Sequence, residues 1–340
     1  MDRAKVAIIG CGGYAGAHAR RLSARPDVEI VALASRSASS IDRLVERRLS
    51  TYEPPPEHYT SLDELYANEA LDAVIISTPH HLHFEQAMQA IESGCHVLIE
   101  KPMVTSLEEA RRLVERARQE RRSGRKLHLG VCYNPAFSPA MEHVRDAVAT
   151  GSHGRLELVT AYLSQDWKRL TAGSWRQVPD ESGGGQAMDS GAHLIHSLLS
   201  TAGAPAAELF AWSSTLRTPV DVNTIVSVRF ENGVLATLTI GGDSPVDGTL
   251  MSLIFDGGRI DVDGWRGEWV RSFRPDTEPC VLEGLSEPSP DDNFIDAVLG
   301  KGELIVSEQD GLRVAAFMDA LYRSIDSGAP TRVAPLEDGV

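Results

Sequence analysis

Cysteine is scarce. Cys11, Cys95, Cys132 and Cys280 are the only four in 340 residues, with no close-spaced pair. That spacing excludes a disulfide framework and a cysteine-ligated zinc site. Long apolar runs are also missing: none approaches the roughly 18 residues that span a bilayer, and residues 1–10 enter a strand pattern without a signal-peptide core. Basic charge is outweighed, since 33 Lys and Arg against 48 Asp and Glu leave −15. So acidic a surface repels a polyphosphate backbone. Neither a P-loop nor a Gly-x-Ser-x-Gly elbow occurs. The expectation is a soluble, cytoplasmic protein with no nucleic-acid or membrane partner. With 42% hydrophobic and 24% charged residues the chain can build a core, and its length at about 150 residues per domain suggests two domains.

Residues 1–132 alternate short apolar runs with amphipathic stretches. The runs 5–9, 28–34, 72–77, 95–99 and 126–131 are rich in β-branched residues, as strands buried on both faces of a parallel sheet are. Ser61-x-x-Glu64 and Ser106-x-x-Glu109 have the form of capping boxes that start helices. Strand and helix in alternation predict right-handed βαβ units and a doubly wound α/β sheet. Beyond residue 150, the segments 154–165, 206–216, 222–231, 234–240 and 249–255 read as successive strands, and Asn232-Gly233 favours a type I′ hairpin turn. A helix is expected over 307–327. Residues 133–340 are therefore expected to form an α+β domain with a large open, mostly antiparallel sheet. An open apolar sheet face requires cover, which predicts self-association.

Four constellations carry chemistry. Gly10-Cys11-Gly12-Gly13-Tyr14-Ala15 sits between a strand and a helix. There Gly10 permits the turn, Gly12 admits a pyrophosphate and Ala15 allows close packing; a dinucleotide is expected. After the second strand, Ser35 and Arg36 stand where NAD-binding folds place an acid, so NADP is preferred over NAD; a solvated loop Arg36 is the plainer reading. Glu100-Lys101-Pro102 follows the fifth strand at the ligand edge of the sheet. Lys101 is expected in the cofactor cleft, with partial burial lowering its pKa, beside a Lys–Pro bond that can be cis. Last, Gly183-Gly184-Gly185 forms an adaptable loop, and Asp189 and His193, four apart on one helix face, pair an orienting carboxylate with an imidazole. His80-His81-x-His83 lacks a carboxylate or cysteine partner at ligand spacing, so Thr78, Pro79 and His83 are assigned to a loop lining the cofactor and no metal is expected.

Together these residues resemble the Gfo/Idh/MocA family of NAD(P)-dependent oxidoreductases over nearly the whole chain. The resemblance rests on the glycine turn, Thr78-Pro79 with His83, Gly94-x-His96-Val97-Leu98-x-Glu100-Lys101-Pro102, and the glycines at 183–185 with Asp189 and His193. It implies a Rossmann domain (1–132) before a substrate-binding and oligomerisation domain (133–340), whose last helix can pack back on the first. It further implies a dimer or tetramer through the open sheet, a sugar, polyol or related substrate, and Lys101, Asp189 and His193 as catalytic residues. Tyr133, Asn134, Asp166 and Trp167 join these three as expected substrate contacts, and Glu100 joins the cofactor contacts. Tyr133-Asn134-Pro135-Ala136 departs from the family by lacking an Arg after Asn134, and His196 replaces an acid three residues after His193. Two other classes stay open: an NAD-dependent glycoside hydrolase without net redox change, and a non-catalytic ligand sensor.

Overall fold

A computed structural model describes residues 3–275, 277–284 and 289–336, which form two compact units. The first comprises Met1–Val104, Glu108–Cys132 and Ser289–Gln309. Its six strands are β1 (Ala4–Ile9), β2 (Val28–Ala34), β3 (Glu57–Tyr59), β4 (Ala73–Ile76), β5 (His96–Ile99) and β6 (Leu129–Val131). They pair in parallel in the order β3-β2-β1-β4-β5-β6. Helices on both faces explain why every residue of β4 is buried, and why β1 keeps Val6, Ala7 and Ile8 fully out of water. Each large aliphatic residue so buried contributes roughly 1.5–3 kcal/mol. Strand order reverses between β1 and β4, which opens a crevice at their carboxyl ends. The chain returns to this unit late: the helix Pro290–Val298 packs Phe294, Ile295 and Val298 into the same core as Ile8, Leu22 and Ile30.

The second unit comprises Thr105–Leu107, Tyr133–Pro288 and Asp310–Val340. Its strands are β7 (Leu156–Ser164), β8 (Ala206–Ser214), β9 (Asn223–Phe230), β10 (Leu235–Gly241), β11 (Gly248–Phe255), β12 (Gly258–Val262), β13 (Trp269–Phe273), β14 (Cys280–Glu283) and β15 (Thr331–Arg332). They form one sheet in the order β14-β13-β12-β11-β7-β10-β9-β8-β15, antiparallel at every pair except β7 with β10. Strict alternation of burial along β9 and β10 shows one covered face and one open face. The β9–β10 turn differs from the type I′ expectation. Gly233 has φ +88° and donates to the Phe230 carbonyl, but Asn232 is not in the left-handed region, so glycine follows an ordinary turn as a bulge. Strands β3 and β12–β15 carried too little periodicity for the sequence to announce.

Candidate active site

In the first unit, the backbone at the carboxyl ends of β1 and β4 is shaped by glycine. Gly10 has φ +93°, and a Cβ there would lie 2.4 Å from the Ser77 carbonyl oxygen, so only glycine lets the two strand ends approach. Gly12 and Gly13 are the opposite case: a Cβ on either would meet no protein atom within 4 Å. Bare backbone facing open space at the start of the helix Ala15–Ser23 fits a diphosphate, which helix amides and dipole attract. Ala15 is fully buried, and Tyr14 is exposed with its ring edge-on to His18 at 5.5 Å. Beyond β2, Ser35 is half-buried and Arg36 is exposed. The first acid after them is Asp42, inside the helix Ala38–Leu44.

Thr78 and Pro79, half-buried after β4, stand at the same edge, where the Thr78 hydroxyl donates to Gln86. His83 corrects the sequence reading. It is fully buried, with Nδ1 2.8 Å from the Pro102 carbonyl and Nε2 2.9 Å from the Thr78 carbonyl, so it braces two loops and offers no surface to a cofactor. Burial pushes its pKa down, and the neutral ring donates to one of those carbonyls at a time. Glu100 is likewise turned inward. Its Oε2 accepts the Lys101 amide at 3.2 Å and its Oε1 lies 3.2 Å from His18 Nε2, which makes it a support for Lys101. Lys101 is half-buried at the end of β5, and the Lys101–Pro102 bond is cis.

Behind this edge lies an ionic cluster that sequence reasoning missed. His18 Nδ1 donates to Asp291 Oδ1 at 2.7 Å, and Asp291 Oδ2 accepts from Arg21 at 3.1 Å. Burial opposes a charge on His18, yet Asp291 and then Glu100 raise its pKa to about 10. Asp291 is held below the usual carboxylate range, its burial outweighed by His18 and Arg21. Cys132 Sγ joins His18 and Glu100 in a buried trio whose ligand atoms lie within 4.8 Å of one another. A metal here would have to displace a proton from His18, held on by Asp291, and one from Cys132, held on by burial and then by Glu100.

In the second unit, the three glycines are packed, not adaptable. A Cβ on Gly183 would lie 2.6 Å from Thr105 Cβ, on Gly184 2.1 Å from the Tyr322 hydroxyl, and on Gly185 1.8 Å from the Asp221 carbonyl oxygen. Asp221, buried and unforeseen, ties this loop down. Its Oδ1 accepts the Gly185 amide (2.7 Å) and the Tyr322 hydroxyl (2.8 Å), and its Oδ2 accepts the Ala187 amide (2.9 Å). Asp189 also departs from expectation: the helix spans Gly191–Thr201, so Asp189 precedes it in a turn and helical spacing does not set its relation to His193. Its buried carboxylate accepts from Trp167 Nε1 at 2.8 Å and Arg176 Nε at 3.0 Å. Trp167 is thus a buried buttress and not a substrate surface, while the Arg176 guanidinium lies 4.4 Å over the Trp175 ring. Asp166 pairs with Arg169.

His193 is half-buried near the start of the Gly191–Thr201 helix. Tyr133 corrects another expectation: it is fully buried, stacked on His196 at 4.4 Å and edge-on to His193 at 6.3 Å, so it backs the histidine and does not line an opening. Burial lowers the His196 pKa to about 4, so the ring that stands where the family carries an acid is neutral. Asn134 is half-buried and opens the short turn Asn134–Phe137. Partners such as Asp291 and Asp221 could not be paired from sequence, because they lie 273 residues from His18 and 101 from Tyr322.

Comparison with known proteins gives these features a context. Residues 4–127 match the family described as "Oxidoreductase family, NAD-binding Rossmann fold", and residues 141–268 match the GFO/IDH/MocA C-terminal domain. The D-glucoside 3-dehydrogenase of Escherichia coli K12 is 24% identical over 97% of both chains. The D-xylose 1-dehydrogenase (NADP(+)) of Hypocrea jecorina is 27% identical, over 81% of this chain and 73% of its own. Among solved structures, levoglucosan dehydrogenase in complex with NADH superposes with a TM-score of 0.86 at 20% identity, covering 98% of this chain and 99% of its own.

Proposed function

Because the chain belongs to the Gfo/Idh/MocA family and is an NAD(P)-dependent oxidoreductase, we propose that it interconverts a hydroxyl and a carbonyl on a sugar or polyol, with Lys101, Asp189 and His193 handling the proton. The observation that carries this reading is the built pair of sites: open glycine backbone with Lys101 at the carboxyl edge of the parallel sheet, and a buttressed Asp189 just ahead of His193. The names of the glucoside and xylose dehydrogenases support a sugar substrate.

Gly10, Gly12, Gly13, Tyr14 and Ala15 would hold the diphosphate, and Ser35, Arg36, Thr78 and Pro79 the flanking groups. The nicotinamide, when bound, supplies the hydride chemistry. His193 takes the hydroxyl proton in oxidation and returns it in reduction. Lys101 donates to the substrate oxygen, and Asp189, fixed by Trp167 and Arg176, presents a carboxylate of defined orientation. We favour NADP over NAD because Arg36 suits a 2′-phosphate and no acid lies between the end of β2 and Asp42. Residues 133–340 are assigned to substrate binding and self-association as a dimer or tetramer. Three buried free thiols, Cys11, Cys95 and Cys132, fit a reducing compartment such as the cytoplasm.

A screen of sugars and polyols, read by absorbance of the reduced nicotinamide, finds the substrate. With it, Lys101→Ala and His193→Ala lower kcat by about 10²–10⁴-fold while cofactor affinity holds. Undiminished turnover in both variants would overturn the assignment, and tighter binding of NAD than of NADP would overturn the cofactor preference.

A further inference from the structure

We propose that His18, Glu100 and Asp291 form a buried positioning relay that fixes the backbone at Lys101 to the helix that opens on the diphosphate turn. The proposal rests on the reading of Lys101 given above. Glu100 uses both carboxylate oxygens: one accepts the Lys101 amide at 3.2 Å, the other lies 3.2 Å from His18 Nε2. His18 sits on the Ala15–Ser23 helix one turn after Tyr14, with Nδ1 on Asp291 at 2.7 Å. The contacts run without a gap from Tyr14 through His18 and Glu100 to Lys101.

Charge supports the relay. His18 and Arg21 supply positive charge beside the carboxylates of Asp291 and Glu100, with both His18 nitrogens and the Arg21 guanidinium within 3.2 Å of a carboxylate oxygen. Stability alone does not account for it. Desolvation costs several kcal/mol per buried ion, and an apolar set of similar volume is often as stable. What an apolar set lacks is direction. An imidazolium hydrogen-bonded to Asp291 at Nδ1 and facing the Glu100 carboxylate at 3.2 Å from Nε2 has one favoured orientation, and its charge holds that carboxylate in place.

The chemistry of carboxamides separates positioning from mere structure. An asparagine amide reaches the place of Nδ1, so His18→Asn keeps the Asp291 link and loses Glu100; a glutamine amide reaches the place of Nε2, so His18→Gln does the reverse. The chain has five lysines (Lys5, Lys101, Lys126, Lys168 and Lys301). Carbon-13 dimethylation therefore gives a resolvable spectrum, in which Lys101→Arg assigns one resonance. On adding NADPH to the protein, the Lys101 resonance is expected to move fully in the wild type and in reduced measure in His18→Gln, which keeps Glu100 and loses Asp291. In His18→Asn it is expected to split or lose its response, with NADPH affinity held within about threefold.

An equal response in both His18 variants would overturn the relay. If either variant fails to fold, Glu100→Gln, which keeps the shape and drops the charge, carries the test: a weakened response supports the relay and an unchanged one ends it. Should Lys101→Ala leave turnover intact, the catalytic reading of Lys101 fails, while the resonance still reports whether the relay places it.

Discussion

Two buried histidines, His18 protonated and His196 neutral, set the pH range over which the protein is most stable. His18 is raised to about 10 in the folded state, so its contribution is complete below its ordinary range near 6.5 and is lost as pH rises through about 10. His196 is lowered to about 4, so its contribution is complete above about 6.5 and is lost as pH falls through about 4. Asp291, held down, adds to the acid-side loss only below the ordinary carboxylate range. Resistance to urea should peak near neutrality and decline on both sides, each limb worth on the order of 1–3 kcal/mol. His196→Phe, which keeps a ring on Tyr133, flattens the acid limb, and Asp291→Asn flattens the alkaline one at a large cost in stability. A midpoint that does not change between pH 5 and pH 9 would contradict both assignments. Among the candidate site residues, the sequence singled out Lys101, Asp189 and His193 through their motifs. His18 and Asp291 stayed hidden because nothing local distinguishes a relay histidine from a core one.

At the level of elements, the two glycine loops look alike in sequence and differ in physics. The loop at 183–185 is glycine because backbone and side chains of its own unit press against it, whereas Gly12 and Gly13 face space that no protein atom fills. Substitution separates them. Gly185→Ala drives a methyl toward the Asp221 carbonyl and should cost on the order of 1–3 kcal/mol or more in thermal or urea unfolding. Gly13→Ala should leave stability within about 0.5 kcal/mol and weaken NAD(P)H binding at least about tenfold, read by nucleotide fluorescence. A destabilised Gly13→Ala with intact cofactor affinity would refute the diphosphate assignment. The strands of the parallel sheet were legible because burial on both faces enforces continuous apolar runs. The turn at Asn232-Gly233 was legible as a hairpin and not as to type, since that depends on the φ of Asn232.

For the whole molecule, the open face of the nine-stranded sheet is the feature that asks for a partner. Trp212, Ile225, Thr239, Tyr162 and Leu250 are cross-strand neighbours in one row over β8, β9, β10, β7 and β11. Trp212 is 59% exposed, Ile225 50% and Tyr162 42%. A stable interface covers about 800 Å² per partner, and a second copy is the proposed cover. Trp212→Glu with Ile225→Glu should shift sedimentation to the monomer; an unchanged mass would move the interface elsewhere. No helix among the described residues is long and apolar enough to cross a membrane. What the sequence by itself determined is whatever local physics writes into neighbours: the parallel sheet, the glycine turn between its first strand and helix, and the motif positions of Lys101, Asp189 and His193. Only the tertiary structure decided which groups hold them. It turned His83, Glu100, Tyr133 and Trp167 inward as supports, and brought in Asp291, Asp221 and Arg176 from distant segments. A buried carboxylate's partners are chosen by packing across hundreds of residues, and that selection leaves no periodicity for a sequence to display.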